Sequence, residues 1–307
     1  MSSAVHFLNV GQAHAMVAVN EDSALVVDCP RGGVKSASAV LRQQHYAQFD
    51  VVVTHLDLDH CGGIRDLLRS FGNSSTTLYL NPVGRPRNRP RVRSVILSIL
   101  SELNYIGASA EHAFAGKTGS TGAMNWSVLA PSYLLVLGAA LLGGSVNRSS
   151  IVLMLEVGGY KFLIPGDIDD VAAGKLLSSG TQLSADVLLL PHHGARLARI
   201  GQLLAAVNPG FVVVSAGRRE THPHITTLRA AAARNCRLMC TQVTHHCHPD
   251  PLTPKHCADS IAFDLSGGSL SVDPSPASHR SRINQLATPV CLMSAAGPTA
   301  TGTTGAS

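Results

Sequence analysis

The chain has 307 residues, of which 45% are hydrophobic and 14% are charged, and its formal net charge is +5 when histidine is neutral. This composition excludes a globally disordered chain, and so mild a positive charge does not by itself indicate a nucleic-acid-binding protein. The 15 histidines are many for this length, so metal chemistry is the first class of function to examine.

We do not expect the N-terminal segment to be a secretory signal, because it has no basic stretch followed by a long apolar one. The most apolar run, residues 133–144, is too short to span a bilayer. We therefore predict a cytoplasmic protein without membrane association. In that reducing compartment the 7 cysteines are expected to be free thiols or metal ligands rather than disulfides.

The first half of the chain is typical of strands followed by helices. Apolar runs and alternations predict strands, and apolar residues at helical spacing predict helices. The predicted strands are 5–8, 15–19, 23–27, 50–53 and 77–80. The predicted helices are 36–45, 64–70 and 92–103, and residues 110–122 are predicted to form a loop.

The second half repeats this order. Its predicted strands are 151–157, 160–164, 187–190, 211–215, 261–265 and 269–272, and its predicted helices are 171–177, 199–206 and 226–234. Two such halves indicate two sheets packed face to face with helices outside. The composition then changes to Ser, Pro, Thr, Ala and Gly, which predicts one domain over residues 1–274 and a disordered tail over residues 275–307.

Four side chains of metal-ligand type directly follow the predicted strand 50–53: His55, Asp57, Asp59 and His60. Alternate residues of an extended segment point the same way, so the first three can converge, and the fourth joins them as the chain turns. Imidazole and carboxylate ligands together suit Zn, Mn or Fe. Because two of each are more than one catalytic metal needs, the motif predicts a two-metal site completed from elsewhere in the chain.

Further candidate ligands lie at the ends of other predicted strands, where loops gather into functional sites. They are Asp28, Asp167, His192, His193, His222 and His224.

The pattern His-x-Asp-x-Asp-His-x-Gly-Gly from His55 onward resembles the signature of the metallo-β-lactamase superfamily. Asp57, where His is commoner, resembles the branch of the ComEC-type competence proteins and pneumococcal phosphorylcholine esterase. Other segments resemble this branch in the same order: residues 9–12, 26–28, 147–153, 163–167, 185–194 and 222–224. The resemblance covers residues 5–272. The chain departs from the branch at Asn9, at Ala13-His14, where acidic residues are usual, and at Pro165.

The resemblance implies an α/β fold, the αββα sandwich of two mixed sheets with outer helices and a site at one edge. His55 and Asp57 are then expected to hold one metal, and Asp59 and His60 the other, with Asp167 bridging them. Zn is the favoured metal, with Mn and Fe as alternatives, since the region of Asn147 and Ser149 replaces a third His.

The resemblance also implies catalytic roles. His193 is expected to complete the second metal site, while His192 contacts the substrate. The expected nucleophile is a hydroxide acidified by both metals, one of which Asp59 holds. His224, in preference to His222, is expected to bind or protonate the leaving group.

A metal-dependent phosphodiesterase or nuclease-like enzyme is the favoured function, because two metals can clamp both oxygens in phosphoryl transfer. The substrate is then a phosphoester, which includes nucleic acid. Hydrolysis of a lactone, β-lactam or thioester stays open, as does a non-catalytic binding module on the same fold. Five arginines at alternate positions fit either phosphate contact or a solvated basic loop: Arg85, Arg87, Arg89, Arg91 and Arg93.

A second group of cysteines and histidines lies late in the chain and fits either a structural zinc site or free cysteines in a polar loop. Its members are Cys236, Cys240, His245, His246, Cys247, His248, His256 and Cys257.

Overall fold

Two mixed β-sheets form the centre of the fold. The computed structural model describes residues 3–81, 89–142, 145–217, 222–248, 257–286 and 289–293. The strands are β1 (Ser3–Phe7), β2 (Met16–Asn20), β3 (Ser23–Val27), β4 (Gln48–Val53), β5 (Thr77–Leu80), β6 (Ser109–Glu111), β7 (Thr118–Thr121), β8 (Met124–Ala130), β9 (Val152–Val157), β10 (Tyr160–Ile164), β11 (Val187–Leu189), β12 (Phe211–Val214), β13 (Arg237–Cys240), β14 (Ile261–Asp264) and β15 (Ser271–Asp273).

The helices lie between and after these strands. They are α1 (Val34–Leu41), α2 (Leu58–Cys61), α3 (Ile64–Phe71), α4 (Pro90–Ile106), α5 (Tyr133–Leu142), α6 (Asp170–Ser178), α7 (Ile200–Val207), α8 (Ile225–Ala232) and α9 (Pro276–Ile283). Short 3₁₀ turns form at Arg31–Gly33, Asn147–Ser149, Pro191–Gly194 and Val290–Met293. Each helix in the described ranges falls short of the length and hydropathy that a membrane crossing requires.

Each sheet combines parallel and antiparallel strands. The first has the order β15-β14-β1-β2-β3-β4-β5-β6, and the second has the order β13-β12-β11-β10-β9-β8-β7. Strands β3, β4, β5 and β6 run parallel in the first sheet, as do β10, β11, β12 and β13 in the second. Parallel neighbours end at the same edge, so the loops that follow β3 and β4 meet at one edge, and those that follow β10 and β11 meet at another.

Three apolar layers hold the fold together. Side chains of both sheets meet in a central layer that includes Phe7, Phe162 and Phe263, whose rings pack 5.7–6.5 Å apart. Helices α1, α3 and α4 cover the outer face of the first sheet, and α6, α7 and α8 cover that of the second. Full burial of one such side chain contributes about 1.5–3 kcal/mol. The predicted αββα sandwich is confirmed.

The sequence analysis missed several strands of these sheets. Residues 110–122, predicted as a loop, contain the end of β6 and all of β7, whose sequence Thr-Gly-Ser-Thr has no apolar alternation. Strand β8 went unrecognised because polar residues interrupt its apolar ones, and β13 because it has only four residues. Sheet pairing, rather than local preference, fixes these segments.

A helix also forms in the segment predicted to be a disordered tail. Ser275 caps α9, since its hydroxyl accepts a hydrogen bond from a backbone N–H of the first turn. Ile283, Leu286 and Val290 are buried in the apolar layer beneath the outer helices. Ile283 ends α9 and the other two residues lie beyond it, so their burial reflects tertiary packing that composition alone does not predict. The domain boundary at residue 274 stays a prediction, and residues 294–307 lie outside the described part of the chain.

Candidate metal centre

The segment that carries the first predicted ligands leaves strand β4 and turns into the short helix α2. All but the first residue of β4 is buried, and the ring of His55 that follows is buried as well. Asp57 has an extended backbone directly before α2. The next turn requires glycine, because a Cβ on Gly62 would lie 2.5 Å from a carbonyl oxygen of α2, and one on Gly63 would lie 2.6 Å from the carbonyl oxygen of Pro30.

Asp167 supplies the carboxylate at the centre of the cluster. It follows the end of β10 across Gly166, which adopts a φ of 57°, and it is 5% exposed. Four imidazole Nε2 atoms surround its carboxylate: His60 at 3.4 Å, His193 at 3.6 Å, His192 at 3.7 Å and His55 at 3.9 Å. The structure therefore brings together residues from both sheets that the sequence analysis assigned to one site.

The remaining two predicted ligands lie at the rim of this cluster. Asp57 Oδ2 is 3.7 Å from Nε2 of His55, and Asp59 Oδ2 is 3.8 Å from Nε2 of His193. Two groups overlap here, each with one ligand atom per residue inside 4.8 Å: His55, His60 and Asp167 form one, and Asp59, His60 and His193 form the other. The geometry thus offers two adjacent positions for cations.

Unpaired imidazole nitrogens support such an occupant. The buried Nε2 atoms of His55, His60 and His193 have no hydrogen-bond partner in the described part of the chain. Leaving a buried polar atom unsatisfied costs about 1–3 kcal/mol. Because all three atoms face the same buried carboxylate, divalent metal ions fit this position, and nitrogen with oxygen donors suits Zn, Mn or Fe.

Burial and neighbouring charges set the protonation of the cluster. Burial lowers the pKa of the His55 and His193 imidazoles to about 3. Burial opposes a charge on His60 too, but the Asp167 and Asp28 carboxylates outweigh it and raise the His60 pKa well above its usual value. Burial favours a neutral Asp167, whereas the His60 and His193 rings hold its pKa well below the usual range. In the absence of a metal, the positive charge of His60 therefore partly balances the negative charge of the Asp167 carboxylate.

Asp28 lies behind His60 and positions it. Its Oδ2 is 2.8 Å from Nδ1 of His60 and 3.1 Å from Nδ1 of His14. Thr54 donates to both carboxylate oxygens, from its N–H at 2.7 Å and from its hydroxyl at 2.6 Å. Asp28 was predicted as one candidate ligand among several; here its oxygens are taken by hydrogen bonds, as is usual for the carboxylates that orient metal-binding imidazoles. The sequence analysis gave Thr54 no role, although it directly precedes His55.

His192 and His193 follow strand β11 in a strained turn. Both have left-handed backbones, with φ values of 51° and 55°, and the N–H of His192 donates to the carbonyl oxygen of Gly166 at 3.0 Å. Their rings differ in exposure, since the side chain of His193 is 4% exposed and that of His192 33%. Asn147 Nδ2 lies 3.4 Å from Nε2 of His192. The buried ring therefore faces the cluster, and the exposed one borders solvent.

The late histidines lie farther out. The ring of His222 is 4.9 Å from that of His192, between centroids. His224 caps helix α8, since its Nδ1 accepts a hydrogen bond from the N–H of Thr226 at 3.2 Å. Its own N–H donates to the carbonyl oxygen of Gly194 at 2.8 Å. The proposed role of His224 as proton donor stays a prediction.

A surface pocket opens beside the two rim carboxylates. The guanidinium of Arg89 forms an ion pair with Asp57 at this pocket. The pocket is lined by Asp57, Leu58, Asp59, Arg89, Pro90, Arg91 and Val92. Arg91 and Arg93 are exposed. Arg85 and Arg87 lie outside the described residues. The pocket therefore combines cationic and apolar surface next to the candidate metal positions.

The chain is similar to known proteins in both sequence and structure. The family model of the metallo-beta-lactamase superfamily matches residues 8–77. ComE operon protein 3 of Bacillus subtilis is 24% identical over 193 residues, which are 62% of this chain and 23% of that protein. Recombination protein 2 of Haemophilus influenzae is 23% identical over 220 residues, which are 70% of this chain and 24% of that protein.

This chain thus spans about a quarter of the length of each of these two relatives. Among solved structures, the metallo-beta-lactamase fold protein YhfI from Bacillus subtilis aligns with a TM-score of 0.48 at 12% identity. That alignment covers 78% of this chain and 96% of YhfI.

Proposed function

The chain belongs to the metallo-β-lactamase superfamily, and from that premise we propose that it is a metal-dependent hydrolase that cleaves phosphodiesters at a dinuclear site. The observation that carries this proposal is the buried Asp167 carboxylate, which lies 3.4–3.9 Å from four imidazole nitrogens. Three of these nitrogens lack a hydrogen-bond partner within the described residues. In a purely structural cluster, hydrogen bonds would satisfy these buried nitrogens, whereas a metal site leaves them available.

The ligand sets follow from the two overlapping groups. His55 and Asp57 would hold one ion, Asp59, His60 and His193 would hold the other, and Asp167 would lie between them. When bound, two divalent ions act as Lewis acids that acidify water and polarise a phosphoryl oxygen. Zn is the favoured metal, and the same donor set also suits Mn or Fe.

The protein's own groups prepare the site for this chemistry. Asp28 and Thr54 hold His60 in one orientation, so that its Nε2 points toward Asp167. His192 lies at the exposed rim, where it can hydrogen-bond to a substrate oxygen or exchange a proton with it. His222 and His224 follow at greater distance as candidates for the leaving-group side.

The pocket supports a phosphoester as the substrate class. Arg89 already binds a carboxylate at the pocket, and a guanidinium forms equally good paired hydrogen bonds with phosphate. Exposed Arg91 extends the positive charge along the same wall. One relative carries the name Recombination protein 2, which makes nucleic acid the first natural phosphodiester to test.

The test compares metal content and turnover of bis-p-nitrophenyl phosphate in the wild-type protein and in Asp59→Ala. We expect about two metals per chain at this site and turnover that Asp59→Ala abolishes. Asp66→Ala is the matched control, because Asp66 is an exposed aspartate on the following helix and should leave both values unchanged.

A substrate panel then separates the alternatives. Turnover of a lactone, a β-lactam or a thioester in place of the phosphodiester would assign the site to carbonyl chemistry. Metal binding without turnover of any of the four would indicate a binding module. A protein that binds no metal at this site would contradict the hydrolase proposal as a whole.

A further inference from the structure

A second cluster of metal-ligand side chains lies on different elements from the first. Sγ of Cys257 is 3.3 Å from Nε2 of His279 on helix α9. One ligand atom each of Cys257, His279 and Cys291 lies within 4.8 Å of the other two. Cys257 is 2% exposed and His279 7%. Cys291 is partly exposed, so two thiols and an imidazole converge at a largely buried place.

Two more thiols border this triad. Cys240 ends strand β13, and its carbonyl oxygen accepts the N–H of Ala258, the residue after Cys257, at 2.8 Å. Cys247 is buried in the same apolar layer. Cys240 and Cys257 are buried in this layer as well.

The chemistry of this set favours a metal over simple packing. A buried cysteine by itself behaves as a small apolar residue. Here, however, Nε2 of the buried His279 ring contacts the thiol of Cys257 inside a largely apolar layer. A polar ring in such a layer lowers stability unless its nitrogens are paired. Three thiolates and one imidazole, bound tetrahedrally and sealed from water, are a common ligand set of structural zinc.

We propose that Cys257, His279 and Cys291, with the thiol of Cys240 or Cys247 as fourth ligand, form a structural zinc site that fastens the C-terminal segment to the domain. The segment already makes two attachments there. Arg282 donates to the carbonyl oxygen of Ala258 at 2.9 Å, and Ile283 is buried in the apolar layer. The ion would join strand β13, helix α9 and the 3₁₀ turn Val290–Met293. His246 of the late sequence motif has another contact, since its Nε2 lies 3.1 Å from the carbonyl oxygen of Pro223. His256 lies outside the described residues.

Cobalt substitution tests this site independently of the Asp167 centre. Thiolate bound to Co²⁺ gives a charge-transfer absorption, and the proposed catalytic ligands contain no sulfur. We expect the wild-type protein to show this absorption, Asp59→Ala to retain it, and Cys257→Ser and Cys291→Ser to lose it together with about one metal per chain. The fourth ligand is whichever of Cys240→Ser and Cys247→Ser also loses it.

Two cysteine variants serve as controls. Cys236→Ser should keep the absorption, because the Cys236 thiol lies in the same apolar layer but donates to the carbonyl oxygen of Ala231. Cys61→Ala should keep it too, which separates the site from the thiol beside His60. Loss of the absorption in Cys61→Ala but not in Cys257→Ser would overturn the proposal.

A measurement on the wild-type protein covers the case in which a variant does not fold. Removal of the metal with a chelator should expose Cys257 and Cys291 to a thiol reagent and should make the chain cleavable by trypsin at the exposed Arg280. Unchanged labelling and cleavage, or a disulfide between Cys257 and Cys291 in peptide mass mapping, would overturn the zinc site.

Discussion

At the residue scale, Asp28 is a buried carboxylate that orients His60, one of the candidate metal ligands. It is fully buried, and its carboxylate contacts His14, Thr54 and His60. Burial would raise the pKa of Asp28, but the His60 and His14 rings hold it below the usual range. An ionised Asp28 keeps Nδ1 of His60 protonated, so that Nε2 is the nitrogen left for a metal.

Replacement of this carboxylate should therefore weaken metal binding. Asp28→Asn keeps the shape and one of the two acceptor oxygens for Thr54 but removes the charge that orients His60. We expect metal affinity at the Asp167 centre to fall about 10–100-fold, as for other carboxylates behind metal-binding imidazoles. Titration of the metal-free protein measures this affinity. An unchanged affinity would show that Thr54 alone fixes the ring.

Two adjacent histidines should give different defects when each is replaced. His193→Ala removes a buried ring and should lower the metal content. His192→Ala removes an exposed one and should keep the metals while turnover falls at least about 10²-fold, the usual effect of losing a general acid or base. Metal analysis and phosphodiester turnover on both variants measure this. Loss of metal in His192→Ala would identify it as a ligand instead.

The buried imidazoles also set the acid stability of the metal-free protein. The pKa values of His55 and His193 are lowered to about 3, so below pH ~6.5 the unfolded chain binds about two protons more at these residues than the folded one. Their contribution to stability is therefore lost as pH falls from about 6.5 toward 3. His60, whose pKa is raised, acts oppositely and loses its stabilising effect as pH rises above 6.5.

Denaturant unfolding of metal-free protein across pH 4–8 should thus show a maximum near pH ~6.5, with a steeper decline on the acid side. His55→Gln should flatten the acid side, because it removes one of the two titrating rings. A stability that keeps rising from pH ~6.5 toward pH 4 would contradict the neutral state of these rings.

At the element scale, the segment from β4 through α2 holds four predicted ligands, and the two glycines that follow α2 have no room for a side chain. A Cβ on Gly63 would meet both the Pro30 carbonyl oxygen and a methyl of Val34 at 2.6 Å. Gly201 in α7 has open space around it among the described residues and a helical backbone. The two glycines therefore form a matched pair for one substitution.

Alanine should affect these positions in opposite directions. Gly63→Ala should lower the free energy of unfolding by about 1–3 kcal/mol through overpacking, and it should reduce metal content by displacing α2. Gly201→Ala should raise the free energy by about 0.5–1 kcal/mol through helix propensity. Denaturant unfolding curves measure both. A neutral Gly63→Ala would mean that the turn relaxes without cost.

The elements differ in how far the sequence could predict them. The strand before His55 and the turn after it were predicted, because a continuous apolar run and paired glycines are local signals. Strand β7 carried no local signal, since it forms by pairing with β8. The contact of His279 with Cys257 joins residues 22 positions apart through tertiary packing, so no spacing rule indicated it. The sequence predicted that the residues around Asp167 lie together, because several motifs occurred in order. It did not predict the contacts of Thr54 with Asp28 and His60, which depend on the fold.

At the scale of the whole molecule, the Asp167 cluster lies where the two sheets meet. The edge of the first sheet supplies His55 and the candidate ligands of α2, and the edge of the second supplies Asp167 and His193. A hydrogen bond also joins the halves near this cluster: the N–H of Ile151 donates to the carbonyl oxygen of Thr54 at 2.9 Å. Metals at this centre would join both halves.

Metal binding should therefore stabilise the entire fold. At a free metal concentration of 100 times the dissociation constant, one site adds about 2.7 kcal/mol to the free energy of unfolding. We expect the melting temperature of the metal-free protein to rise on addition of Zn²⁺, and to rise less in Asp167→Asn. The difference between the two proteins isolates this centre from the cysteine site. Equal shifts in both would place the stabilising metal elsewhere.

The left-handed backbone at His192 and His193 lowers the stability of the fold at two residues that are expected to act in the site. Each such conformation costs a side-chain-bearing residue about 1–2 kcal/mol, and glycine adopts it freely. Glycine at either position should relieve that cost while removing an imidazole from the site, so the catalytically weakened protein could be the more stable one. Selection for thermal stability alone would then favour glycine at these two positions. A library of variants that is screened for stability must therefore also be screened for activity.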